Sequence, residues 1–285
     1  MTAGRTDTAA GSSTAASSRP PVLTAPDLSR LRDGAVDELA AGEMVEDLRL
    51  AEADLSGAGL SAISLLSCRF SEVFADDTDL AAARLVDCRL ERLSSTYLHS
   101  PRSTWRTVEL TGSRIGAWEI YDADIESVLI EDCRLGFTNL AGTTLRDILI
   151  RGTRIDELDL SGIEAERVRF EDCRLGFANL AGTALRDILI RGTRIDELDL
   201  SGIEAERVRF EDCRVGTLRL RGGSLSDVDL RGLEMRVVSG IGSLAGATIS
   251  SEQLTELAPL LAQHLELRVE DQDDGQNPIT RSRRA

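Results

Sequence analysis

A strict five-residue period runs through the middle of this chain and limits what it can fold into. Of the 38 residue numbers divisible by five from Leu50 to Met235, 33 carry Leu, Ile, Val, Phe, Met or Trp. The exceptions are Ala75, Ser95, Ser100, Ala165 and Ala205. A helix repeats its faces about every 3.6 residues and a strand every second residue, so neither produces this spacing. Two positions before each large residue sits a smaller one, as at Ala53, Ala58, Cys68, Ala83, Cys88, Ala123 and Cys133. The remaining three positions are mostly Gly, Asp, Glu, Arg, Ser and Asn. Each unit therefore offers two inward residues of unequal size and three outward polar ones.

A longer repeat lies on top of the short one. Residues 131–170 and 171–210 are identical except that Thr138 becomes Ala178 and Thr144 becomes Ala184. Segments such as Ala53-Asp54-Leu55-Ser56-Gly57 and Thr138-Asn139-Leu140-Ala141-Gly142 match the motif A(D/N)Lxx, and the chain resembles the pentapeptide-repeat family from 51 to 238. The resemblance implies an all-β solenoid: a right-handed quadrilateral parallel β-helix with four pentapeptides, or twenty residues, per coil. The forty-residue copy then equals two whole coils, which a solenoid accepts because each coil touches only its neighbours. Coils about 4.8 Å apart would make a rod of roughly 45 Å. A narrow core of Leu, Ile, Ala and Cys also accounts for the ten aromatics in 285 residues.

One stretch departs from the phase. Residues 91–105 place Ser95 and Ser100 at inward positions and include Pro101. The triplets beginning at Cys68, Cys88, Cys133, Cys173 and Cys213 are spaced by 20, 45, 40 and 40, so five residues are in excess across this stretch. The spacing predicts that one pentapeptide leaves the wall as a loop within 91–104, with all five cysteines on one face.

The ends of an open β-helix need covers. Residues 1–22 and 270–285 are read as disordered tails, too polar to offset their ordering entropy. Residues 23–50 are predicted to form an N-terminal cap with some helix near Asp27, and 239–269 a C-terminal helical cap or dimerisation element. Ser250 and Gln253 fit a capping box, and Leu254, Leu257, Leu260, Leu261 and Leu265 recur at helical spacing. Pro259 is expected to kink or split that helix. By family resemblance, this end would pair two copies head to head.

Little in the sequence points to chemistry. The cysteines occupy the small inward position and read as core. His99 and His264 lie far apart, with no nucleophile or acidic orienter placed beside either. No catalytic, cofactor-binding or metal-ligating residues are assigned, and no cofactor is expected. No run of 18 apolar residues exists, so no membrane span is read. The absence of a signal-like leader and the odd number of cysteines lead to an expected cytoplasmic location.

Charge carries the functional question. The 49 acidic residues and 33 arginines give a net charge of −16, and no lysine occurs. That balance argues against a nucleic-acid-binding surface. Some pentapeptide proteins act on DNA gyrase and other type II topoisomerases as acidic mimics of duplex DNA, inhibiting them or protecting them from drugs, and the resemblance implies that role here. Residues 51–238 hold 34 acids and 24 arginines, far below one charge per about 1.7 Å of duplex. The acidic surplus concentrates early, which makes Asp54, Glu72, Asp76, Asp77 and Asp79 the candidate partner-binding patch. The alternative is a scaffold for another protein partner.

Overall fold

The structure, a computed structural model, describes residues 18–270. Parallel strands wind into a β-solenoid of about 11 turns closed by one C-terminal helix. The inward residues at positions divisible by five stack in columns, such as Leu85, Trp105, Ile125, Leu145 and Ala165 along one wall. One continuous apolar core results, running from Leu39 to Leu233. Corner residues repeatedly adopt positive φ, and the residues that do so are Gly, Asp, Glu, Arg, Ser, Thr and Ala rather than β-branched aliphatics.

The register is twenty residues throughout 91–105, and no loop leaves the wall. Ser94–His99 pairs with Arg114–Glu119, and Thr104–Thr111 pairs with Arg84–Glu91, placing Cys88 beside Val108. Cys68 and Cys88 therefore lie in one column, while Cys133, Cys173 and Cys213 lie in another. The expectation of an extruded pentapeptide is wrong, and the physical reason is volume. Trp105 and Trp118 both point into the core, 1 % and 3 % exposed, with ring centroids 5.4 Å apart. Two indoles leave no room for leucine at the neighbouring inward positions. Ser100 accepts the Trp118 Nε1–H at 2.9 Å, Ser103 accepts the Trp105 Nε1–H at 2.9 Å, and Ser103 donates to the Ser100 carbonyl. The serines are small core residues with a hydrogen-bonding task.

The copied block shows a related economy. Thr138 Oγ1 is buried with no hydrogen-bond partner among the described residues; the matching residue in the second copy is Ala178. A buried unpaired hydroxyl costs on the order of 1–3 kcal/mol. Thr138→Val is therefore expected to raise thermal stability by about 1 kcal/mol, measurable by calorimetry.

Both ends differ from expectation. No helix forms near Asp27, whose carboxylate instead accepts the Ser29 N–H at 3.1 Å in a tight turn. The helical turn present in this region is a 3₁₀ turn at Val36–Glu38. The wall already begins with Arg32–Asp33 pairing to Leu48–Arg49, and Met44–Glu46 pairing to Ser64–Leu66. Residues 18–22, read as part of a disordered tail, instead lie along the rod, as described below. Residues 1–17 and 271–285, where the tails were expected, lie outside the described residues.

At the other end, Ser251–His264 is a helix capped by Ser250, with Gln253 completing a capping box. Gln253 falls twenty residues after Leu233 and so continues a coil position. Its Nε2 donates to the Leu230 and Leu233 carbonyls at 2.7 Å each, as Cys213 Sγ donates to Ile190 O two coils earlier. The helix start thus closes the last coil's open carbonyls. Pro259 lies inside a helix that runs unbroken from Ser251 to His264, so it does not split the helix in two. It and Thr255, whose carbonyl loses its N–H partner, are both exposed, so water can serve that carbonyl.

Candidate functional site

Twenty-residue register turns outward side chains into columns along the rod, and their charges differ by face. Three columns alternate in sign. Glu131, Arg151, Glu171, Arg191 and Glu211 stack in order, with Arg151–Glu131 at 2.6 Å and Arg191–Glu211 at 2.7 Å. Glu126, Arg146, Glu166, Arg186 and Glu206 alternate likewise. Exposed pairs of this kind contribute about 0–1 kcal/mol each, so these columns serve the stack.

The third alternating column, at a corner, is more buried. Arg167 makes two hydrogen bonds to Asp147, at 2.7 and 2.9 Å, and Arg207 two to Asp187, at 2.8 and 3.0 Å. The same carboxylates hold an N-terminal strap. Arg19 N–H donates to Asp187 at 3.2 Å, Val22 N–H to Asp147 at 2.8 Å, and Thr24 N–H to Ser127 Oγ at 2.9 Å. Three extended residues span about 10 Å, which matches two coils. Leu189, at an outward position two residues from Asp187, is only 3 % exposed although it is not part of the central core. Leu129, Leu149 and Leu189 also break the polar outward pattern of their column.

Guanidinium hydrogen bonds hold the Asp147 and Asp187 carboxyls below the ordinary carboxylate range. Their stabilisation is complete above the unfolded value of about 3.9 and is lost as pH falls through the lower folded values. The Asp147→Asn/Asp187→Asn variant is therefore expected to lose less stability than the parent between neutral and acid pH, measured by denaturant unfolding across that range.

Two columns of one adjoining wall are acidic. From coil to coil they carry Asp77 and Asp79, Tyr97 and His99, Ala117 and Glu119, Phe137 and Asn139, Glu157 and Asp159, Phe177 and Asn179, and Glu197 and Asp199. Seven carboxylates and no arginine occupy this strip. Arginine enters one coil later, where Arg219 pairs with Glu197. Over roughly 29 Å of coil spacing this is about one charge per 4 Å. His99 sits within it, with Tyr97 Oη 3.3 Å and Glu119 Oε2 3.4 Å from Nδ1, so the acidic partner that sequence reading could not place is Glu119.

The five sequence-picked acids do not form one patch. Asp77 and Asp79 begin the acidic strip, with Asp76 beside them accepting the Thr96 N–H at 2.6 Å. Asp79 also accepts the Ala81 N–H at 2.9 Å. Glu72 lies at another corner and pairs with Arg92 at 2.7 Å. Asp54 accepts the Ser56 N–H at 2.9 Å and precedes Phe74 in a different column.

The cysteines are all buried and free. Burial pushes the Cys133 and Cys173 thiols up to about 11, which keeps them protonated and poorly nucleophilic at neutral pH. Their Sγ–H groups donate to Leu110 and Ile150 carbonyls. No cluster of three His, Cys, Asp or Glu side chains among the described residues is placed to hold a metal ion. No helix of the described residues is long and apolar enough to cross a membrane.

In the C-terminal helix, Leu257 is buried, Leu260 and Leu261 are half-buried, and Leu254 and Leu265 are 51 % and 61 % exposed.

No family model matches the chain, and no curated protein matches it. Among solved structures, the chain is similar to HetL, a pentapeptide repeat protein involved in heterocyst differentiation regulation from the cyanobacterium Nostoc sp. strain PCC 7120. That match has 22% identity over 69% of this chain and 90% of the other, with a TM-score of 0.36. It is also similar to trypsin-treated QnrB1 M102R, a plasmid-mediated fluoroquinolone resistance protein, at 16% identity over 85% and 95% of the two chains and a TM-score of 0.31. Full-length QnrB1 gives 12% identity over 76% and 99%, with a TM-score of 0.27. On its own five-residue phase and twenty-residue register, the chain is a pentapeptide-repeat β-solenoid.

Proposed function

We propose that this rod is a non-catalytic binding protein that engages DNA gyrase or another type II topoisomerase by partial DNA mimicry. The observation that supports this reading is the acidic strip from Asp77 to Asp199, confined to one wall and free of arginine. A line of carboxylates on a rigid rod offers a basic DNA channel a regular negative edge. Its density, about one charge per 4 Å, is less than half that of duplex DNA at one per about 1.7 Å. The mimicry is therefore partial.

A second copy would lengthen the edge. We infer head-to-head pairing through the C-terminal helix, supported by the exposed Leu254 and Leu265. Two rods would together span roughly 100 Å. The scaffold alternative draws on the three sign-alternating columns, which neutralise themselves.

The test is a gyrase supercoiling assay with and without the protein and with a fluoroquinolone added. The expected result is inhibition of supercoiling, or rescue from the drug, at micromolar protein. The Glu157→Gln/Asp159→Asn/Glu197→Gln variant should lose most of that effect. No effect of the parent protein would remove the gyrase reading and leave the scaffold.

A further inference from the structure

On the same strands as the acidic strip, an acidic chain carries an uninterrupted column of arginine. Arg114, Arg134, Arg154, Arg174, Arg194 and Arg214 stack in six successive coils, about 4.8 Å apart. All six are exposed. Six like charges at this spacing repel one another, so the column does not serve the stack as the alternating columns do.

Partners divide the six into two groups. Arg154 and Arg194 each pair with the aspartate two residues on, at 2.9 and 3.7 Å, and Arg214 pairs with Glu234 at 2.6 Å. Arg114, Arg134 and Arg174 have no ion pair among the described residues. At the corresponding position each has glycine: Gly116, Gly136 and Gly176. The backbone requires it, since a Cβ on Gly136 would stand 2.1 Å from Gly116 O and one on Gly176 2.3 Å from Asp156 O. The local backbone at these coils thus excludes the carboxylate that Asp156 and Asp196 supply in the others. The N-terminal part of this column borders an open groove of ≈ 930 Å³ that reaches Phe74, 58 % exposed in the same column.

We propose that this column is a docking surface for an acidic, extended peptide segment of a partner protein, running along the rod axis. Charge complementarity gives the sign, and guanidinium forks match carboxylates two atoms to two. Width favours a single extended chain over nucleic acid. Asp132, Asp172 and Asp212 flank the column on one side and Asp156 and Asp196 on the other, so a broad duplex would press phosphates against carboxylates. The strap shows the pitch such a chain would follow. Three residues separate its anchors at Asp187 and Asp147, two coils apart. Acidic residues three apart would meet Arg134 and Arg174, also two coils apart. This surface is independent of the gyrase reading, which uses the opposite charge at the other end of the same strands.

The probe is fluorescein-labelled oligo-glutamate, titrated with the full chain and followed by anisotropy at low and high salt. Binding should weaken at least about tenfold in the Arg114→Gln/Arg134→Gln/Arg174→Gln variant. It should weaken less in Arg154→Gln/Arg194→Gln, whose arginines are already paired. Melting temperature of the triple variant should hold or rise, because three repelling charges are gone; if it fails to fold, single Arg134→Gln carries the same comparison. No binding to the parent, or binding that the unpaired-arginine variant leaves unchanged, overturns the proposal. Tighter binding of an oligo-dT of equal charge also overturns it and assigns the column to nucleic acid.

Discussion

Excising residues 171–210 leaves a folded rod two coils shorter that still melts in one cooperative step. The splice joins Phe170 to Glu211, recreating the native Phe170-Glu171 pair. Glu211 then takes the place of Glu171 beside Arg151, and the Asp147–Arg167 pair is untouched. Asp227 takes the register place of Asp187, so the position that anchors Arg19 keeps a carboxylate. Nearest-neighbour energetics predict a loss of no more than a few degrees in melting temperature. Excising residues 171–200 makes the sharper comparison. It keeps the five-residue phase, so the same residue types still point inward, but it rotates the following coils by half a turn. Six- and eight-residue strands then face each other and the left-handed corners fall out of line. The expected loss exceeds about 5 kcal/mol, or ~10–20 °C in a chain of this size. Far-UV circular dichroism with thermal melting reads both. Equal behaviour of the two deletions would mean that the twenty-residue coil is not the structural unit.

Restoring the consensus leucine at position 100 destabilises the protein. Ser100 is fully buried, next to the space filled by Trp105 and Trp118, and its hydroxyl is the acceptor for the Trp118 indole. Leucine adds volume where none is free, at a cost of about 1–3 kcal/mol, and leaves the indole N–H unpaired, about 1–3 kcal/mol more. Trp105→Ala should cost about 3–5 kcal/mol through the cavity it opens. In a loop outside the wall, Ser100→Leu would be near neutral. Chemical denaturation of the two single variants, compared with the parent, separates these outcomes.

These two cases mark where the sequence is and is not legible. The five-residue phase, the coil length and the capping box of Ser250 and Gln253 could all be read, because each depends on residues close in sequence or on one period. The serines at 95 and 100 misled because phase alone treats an inward serine as a defect. Ser100 serves Trp118, eighteen residues further on and inward at the smaller position, and Ser95 donates to the Ala75 carbonyl one coil back. The N-terminal strap was hidden for a similar reason. Its anchors at Asp147 and Asp187 are more than one hundred residues away, and residues 18–22 have the composition of a tail. The acidic strip was found only at its first coil, through Asp77 and Asp79. Net charge per segment averages over four walls, whereas the strip and the arginine column emerge only when residues twenty apart are aligned. Glu72 was drawn in by proximity in sequence, yet a corner and its pair with Arg92 separate it from the strip.

The acidic strip rests on unbroken register through 91–105, because it begins before that stretch and continues after it. Ser94 and Arg114 test it directly. They are paired neighbours in adjacent coils, with Cα atoms about 4.8 Å apart, inside the range a disulfide can bridge. The five native cysteines are buried and do not compete. On mild oxidation, the Ser94→Cys/Arg114→Cys protein should form an intramolecular disulfide in nearly every molecule, read by mass spectrometry after proteolysis. A pair that stays reduced in folded protein would mean that Ser94 has left the wall, and would contradict the continuous solenoid.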